Sequence, residues 1–262
     1  MYYILGGSGL LGQAIKNILK KKYKFISRFD KKNSIKTNIF NQDPNHKKFK
    51  KENWLKKINQ NDCIILLSNF GKIYDYEQNK KKTSDFEKKI FFILKNINKK
   101  VRIIFLSSDM VYEGKNIVYK DNYKTNPLNR YGLSKKKIES FILKNFNNYL
   151  ILRLCKVFSL NLKKESLVSE LYSEVLKKKK INLFKNQYVH YMEIKEFTIK
   201  FRKIINLNKI TGVFNFPGSI FTNRYNLAIS IFPKYKKYFK PINIPIKLNY
   251  LPKKLKMETK LY

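Results

Sequence analysis

The chain has 262 residues, 43% hydrophobic and 15% aromatic, which is enough apolar material for a sizeable core and excludes a disordered chain. Its formal charge is +39, but only six of its 57 basic residues are Arg. Base and phosphate recognition favours the Arg fork, and the Lys excess is spread along the whole sequence, so a specific nucleic-acid partner is not expected. Lys, Asn, Ile, Phe and Tyr abound while Ala appears only at Ala14 and Ala228. These abundant residues share A/T-rich codons, which explains the bias more simply than a polyanion partner does.

The first apolar run, Tyr2-Tyr3-Ile4-Leu5, reads as a buried strand and leads directly into Gly6-Gly7-Ser8-Gly9-Leu10-Leu11-Gly12. Apolar Leu11, Ile15, Ile18 and Leu19 then follow a helical period. Strand, glycine turn and helix together are the setting of a dinucleotide site. Gly6 permits the tight turn, Gly9 lets a pyrophosphate approach the backbone, and Gly12 lets the helix pack closely. Ser8, Leu10 and Leu11 bring the helix N-terminal N–H groups to the phosphates. The second strand, Lys24 to Ser27, ends at Ser27-Arg28, where a basic residue accommodates a 2′-phosphate. NADP(H) is therefore the expected cofactor, with NAD(H) also admissible. Thr37-Asn38-Ile39 is expected to end a third strand, with the Asn38 amide near the adenine. Asp62 to Leu67 is a fourth strand, ending at Ser68-Asn69 on the cofactor side.

Ile73 to Lys82 is polar and lysine-rich and reads as a surface loop or a frayed helix start. Phe86, Ile90, Ile93, Leu94 and Ile97 form a helical stripe. Val101 to Leu106 is a continuous apolar run, as in a strand buried on both faces of a parallel sheet. It delivers Ser107 and Ser108 to the sheet edge where open α/β sheets bind ligands. The next helix carries Tyr131 and Lys135, four residues apart and so on one face. An ammonium beside a phenol draws its pKa down from ~10, as a tyrosine acid–base group requires. Ser108 is placed to hold the reacting oxygen. Tyr149 to Leu154 is a further strand. Cys63 and Cys155 lie in apolar runs and read as core thiols, with no metal site expected. No charged-then-apolar leader and no apolar run near the ~18 residues of a membrane span is seen, so a cytoplasmic protein is expected.

Alternating strands and helices predict an α/β fold with a doubly wound parallel sheet. Residues 1–158 form the expected Rossmann domain, and residues 159–262 a small substrate-binding lobe with elements that can return to the main domain.

The order of GGSGLLG, LSSDMVY, YGLSK and ILRLCKVFS resembles the extended short-chain dehydrogenase/reductase family. Within it the chain is most similar to the dTDP-4-dehydrorhamnose reductase group. Ser107 to Gly114 is similar to that group's S-T-D-x-V-F-D-G segment. Gly212-Val213-Phe214-Asn215-Phe216 and Pro252 to Leu261 resemble its C-terminal signatures. Ile138 stands where the group's S-K-x-x-[GA]-E motif has a small residue, and Leu251 where its tail has Arg.

The resemblance implies an NAD(P)-dependent reductase of a nucleotide-activated 4-keto sugar, serving surface polysaccharide synthesis. Tyr131 would protonate the keto oxygen, Lys135 would tune Tyr131 and bind the nicotinamide ribose, and Ser108 would hold the substrate oxygen. Asp109, Val111 and Tyr112 would join Ser108 on the substrate side. A sugar-nucleotide epimerase or dehydratase, and a catalytically silent nucleotide-binding subunit, are the alternatives. A homodimer is compatible with this reading.

Overall fold

The uninterrupted apolar runs near the N-terminus and around residue 103 need cover on both faces. In the computed structural model, which describes residues 1–20, 22–27, 34–37, 44, 53–207 and 210–262, both are buried strands. In chain order the first elements are β1 (Tyr2–Leu5), α1 (Leu10–Leu19), β2 (Tyr23–Ser27), β3 (Ser34–Lys36), α2 (Asn53–Lys56), β4 (Cys63–Leu66), α3 (Ile73–Gln78), α4 (Lys80–Asn96) and β5 (Arg102–Ser108). Next come β6 (Val118–Tyr119), α5 (Arg130–Asn145), β7 (Tyr149–Leu154), β8 (Lys156–Phe158), α6 (Leu167–Leu176), β9 (Ile181–Phe184) and β10 (Tyr188–Glu193). The last are α7 (Ile194–Asn206), β11 (Gly212–Phe216), β12 (Ile220–Asn223), α8 (Arg224–Ile231), β13 (Phe239–Ile242) and β14 (Lys254–Met257).

The seven-stranded main sheet has the order β11-β7-β5-β4-β1-β2-β3. β1 pairs in parallel with β2 and β4, β2 with β3, and β4 with β5. The chain builds outward from β1 to β3, then returns to build outward from β4. This makes the gap between β1 and β4 the topological switch point, where doubly wound sheets bind ligands beyond their strand ends. β3 ends at Lys36 and is followed by a fully buried Thr37; Asn38 and Ile39 lie outside the described residues.

Contacts divide the chain into two compact units. One is Met1–Ser108 with Asn129–Leu152 and Asn208–Val213; the other is Asp109–Leu128 with Arg153–Leu207 and Phe214–Tyr262. This differs from a single cut after residue 158, and long-range bonds are the reason. β6 pairs with β14. Tyr112 Oη donates to Asn215 Oδ1 at 2.7 Å and accepts from Arg153 Nη1 at 2.8 Å. The Asp121 carboxylate accepts from the backbone N–H of Asn215 and of Lys260. Local patterning reveals none of these partners.

The core of the first unit gathers Tyr3, Leu5, Trp54, Leu55, Phe86, Ile93, Ile103 and Ile142, among others. Trp54 is thus a core residue. The region expected to be a loop or frayed start instead forms α3. Lys72 N–H donates to Asp75 Oδ2 at 2.6 Å across its N-terminus, and Tyr76 is buried against Phe70 and Phe86. One buried aromatic holds an otherwise polar segment helical. In the second unit, β12-β10-β14-β6 form a sheet with β8 also on β10, and β13 pairs with β9.

Tyr112→Phe is expected to destabilise the protein by about 1–3 kcal/mol, because Arg153 and Asn215 lose a buried partner. Urea denaturation of the two proteins measures this, and an unchanged midpoint refutes a structural role for the network.

Candidate functional site

The loop after β1 is shaped by close approaches that exclude side chains. Gly6 has φ +89°, a conformation glycine adopts freely, and a Cβ there would lie 2.7 Å from the Ser68 backbone nitrogen. A Cβ on Gly12 would lie 2.3 Å from the Gly7 carbonyl oxygen. Gly12 thus packs α1 against its own loop rather than against β1. Gly9 is different: nothing lies within 4 Å of its Cβ position, and it begins α1 without any side-chain cap. The first-turn N–H groups therefore face an open space suited to an anion.

A cavity of about 780 Å³ lies beside this loop, lined by Gly6, Gly7 and Ser8, by Phe25 and Ile26 of β2, and by Ser68 and Asn69. α3 and α4 also line it, contributing Lys82 and Lys89 together with Asp75 and Asp85. The open position at Gly9 and the uncapped helix start fit a dinucleotide pyrophosphate. Leu10 and Leu11 are half-buried at the start of α1. Ser27 ends β2 opposite Lys36, and Arg28 lies outside the described residues.

α5 carries Tyr131 and Lys135. Asn129 caps it, its Oδ1 accepting from Gly132 N–H at 2.7 Å, which starts the helix so that Tyr131 and Lys135 share its inner face. Lys135 is 2% exposed. Its Nζ lies 5.5 Å from the Tyr131 ring centre and 5.0 Å from that of Phe105, and donates to the Leu106 carbonyl at 3.3 Å. Burial draws its pKa down from 10.5 to about 7, opposed by the charge of Glu139. Ser108 ends β5 and is buried. Its neighbour Ser107 donates its hydroxyl to Glu139 Oε1 at 2.5 Å, so the end of β5 is tied to α5.

Sequence reading passed over Tyr76 and Glu77. The Tyr76 ring meets Tyr131 edge-on, with centroids 5.1 Å apart, and stacks against Phe70 of the cavity wall at 4.1 Å. Glu77 accepts the Arg130 backbone N–H at 2.5 Å. Adjacent residues of α3 thus brace adjacent residues of α5, and ring contacts join the cavity wall to Tyr131. The one available signal was an aromatic within a polar stretch.

The glycine loop, Ser68, Asn69, Ser108, Tyr131 and Lys135 all belong to the first unit. Asp109, Val111 and Tyr112 belong to the second; all three are buried, and the Tyr112 hydroxyl is engaged by Arg153 and Asn215. Among the described residues no group of three or more His, Cys, Asp or Glu is placed to hold a metal ion, and none of the helices is long and apolar enough to cross a membrane. Cys63 and Cys155 are free and buried.

The model of the RmlD substrate binding domain family matches residues 1–258. The chain belongs to this family. Membership puts it among the oxidoreductases of the extended short-chain dehydrogenase/reductase type. No curated protein matches it in sequence. Among solved structures it is similar to the dTDP-4-dehydrorhamnose reductase of Bacillus anthracis in complex with NADP. That match has a TM-score of 0.74 at 16% identity, covering 98% of this chain and 88% of that one. A hypothetical dTDP-4-dehydrorhamnose reductase from Sulfolobus tokodaii gives 0.73 at 22% identity, covering 98% and 90%. DesIV, the dTDP-glucose 4,6-dehydratase of Streptomyces venezuelae with NAD and TYD bound, gives 0.77 at 10% identity, covering 98% and 88%. At these identities the likeness is one of fold.

Two outcomes follow from this geometry. Gly9→Ala is expected to leave thermal unfolding unchanged while weakening nicotinamide-nucleotide binding in calorimetric titration, whereas Gly12→Ala lowers the unfolding temperature itself. Lys135→Met is expected to raise stability, by an amount that depends on pH. Between about 7 and 10.5 the unfolded chain holds a proton on this lysine that the folded chain releases, so wild-type stability falls as pH falls through that window. The stability gained by Lys135→Met is therefore largest at pH 7 and below and fades toward pH 10.5. A gain that does not vary with pH refutes the buried, proton-shedding lysine.

Proposed function

We propose that the protein is a reductase of a nucleotide-activated 4-keto sugar, preferring NADP(H) and serving surface polysaccharide synthesis in the cytoplasm. The observation that carries this reading is the placing of Tyr131 and Lys135 on one helix face, in the same unit as a glycine loop with an open pyrophosphate position. Names of similar structures support the substrate class, since two are dTDP-4-dehydrorhamnose reductases. The NADP(H) preference rests on Arg28 directly after β2.

In this mechanism the nicotinamide, when bound, supplies the hydride. Tyr131 gives its phenolic proton to the keto oxygen as that oxygen gains charge. Lys135, in its charged form, steadies the phenolate left on Tyr131. Ser108 holds the keto oxygen by a hydrogen bond, so that the carbonyl is already aligned when the proton moves. Tyr76 packs edge-on against the half-buried Tyr131 and is itself backed by Phe70, which helps to hold the phenol in place. A dehydratase would call for a second acid in Ser108-Asp109-Met110, and the segment has one.

NADPH oxidation against a panel of nucleotide 4-keto sugars tests the reading. Wild type is expected to turn over at least one of them, and Tyr131→Phe to lower kcat by about 10²–10⁴-fold. Equal turnover by wild type and Tyr131→Phe refutes the assignment of Tyr131, and a faster reaction with NADH refutes the cofactor preference.

A further inference from the structure

We propose that Glu139 and Ser107 act as a positioning pair that keeps Lys135 charged inside the protein. The inference rests on the roles given to Tyr131 and Lys135 under the proposed function, and extends them to two residues to which that reading gives no role.

Residues 131, 135 and 139 are spaced by four on α5, so phenol, ammonium and carboxylate form a row along its inner face. Glu139 is 3% exposed. A buried carboxyl group needs a hydrogen-bond partner, and the Ser107 hydroxyl donates to it at 2.5 Å. Ser107 sits at the end of β5, so the bond fixes the carboxylate relative to the strand that also ends in Ser108.

The surroundings of Lys135 single out Glu139. From β5 it faces the Leu106 carbonyl and the Phe105 ring, neither of which titrates. From α3 the titratable group at this end is Tyr76, whose phenol burial pushes well above its usual range and so leaves uncharged. The carboxylate α4 presents to α5 is Glu87, and Lys137 engages it at 2.8 Å. Glu77 of α3 accepts from Arg130. On α5 itself remain Tyr131 and Glu139, and the charge of Glu139 is what opposes the pull of burial on Lys135. Without it, desolvation acts alone and the lysine sheds its proton at lower pH. An uncharged Lys135 no longer steadies the Tyr131 phenolate.

The test uses full-length protein labelled with ¹³C at lysine Cε, the Lys135 resonance being identified by its loss in Lys135→Met. In Glu139→Gln the Lys135 titration midpoint is expected to fall by about 1–3 pH units, and the alkaline limb of kcat to move in the same direction. If Glu139→Gln fails to fold, Ser107→Ala carries the test, with a smaller fall expected as the carboxylate loses its donor. An unchanged midpoint in the folded variant overturns the proposal; a merely structural role for Glu139 would lower stability and leave the midpoint in place. The titration reads Lys135 without any substrate. A fallen midpoint with no turnover of any sugar nucleotide therefore upholds the pair and refutes the substrate class, while turnover with an unmoved midpoint does the reverse.

Discussion

An ammonium held in an apolar interior is the constraint on which the reactive part of this protein depends. Burying a charge is costly unless partners replace the water it loses. Around Lys135 those partners are the Leu106 carbonyl, the faces of Phe105 and Tyr131, and the field of Glu139. Each demands something of the fold. Leu106 and Phe105 require β5 to run beneath α5, and Glu139 requires a donor, which Ser107 provides at the strand end. The elements that surround this one lysine are thus the ones that bring Ser108 and Tyr131 into the same unit.

Close packing plays the matching role at the cofactor cavity. Gly6, Gly7 and Gly12 each stand where a Cβ would overlap a neighbour, whereas Gly9 opens onto empty space. Three glycines therefore serve the fold of the loop, and the fourth serves whatever the loop binds. α3 and α4 complete the cavity, and the Phe70–Tyr76–Tyr131 ring contacts carry its wall to the reactive phenol. Tyr76 links the cavity wall to Tyr131 through packing alone.

In the second unit, segments far apart in sequence are joined by buried polar bonds. Asp121 reaches Asn215 and Lys260, and Asn215 reaches Tyr112, Tyr119 and Glu258. Tyr112, Asn215, Glu258 and Lys260 sit in the very motifs that mark the family resemblance. For Tyr112 the bonds in view are to the protein itself, which gives a structural reason for a residue that the motif invites one to read as a substrate contact.

Much of the first unit was legible in the residues. Short apolar runs located β1, β4, β5 and β7, helical patterning located α1, α4 and α5, and the glycine spacing located the turn between β1 and α1, because those features arise from neighbours in sequence. The same holds for Tyr131 and Lys135, whose shared face follows from helix geometry. The helix at Ile73–Gln78 was not legible, since a single buried Tyr76 outweighs its polar composition. Nor was the division of the chain, because β6 with β14 and Asp121 with Asn215 join residues about a hundred positions apart or more. By itself the sequence determined the α/β class, the glycine loop and the shared helix face of Tyr131 and Lys135. Only the tertiary structure decided that Lys135 is buried, that Glu139 and Ser107 surround its charge, and that Tyr112 is locked into a polar core. Burial and long-range hydrogen bonding depend on which distant segments meet, and no local pattern encodes that.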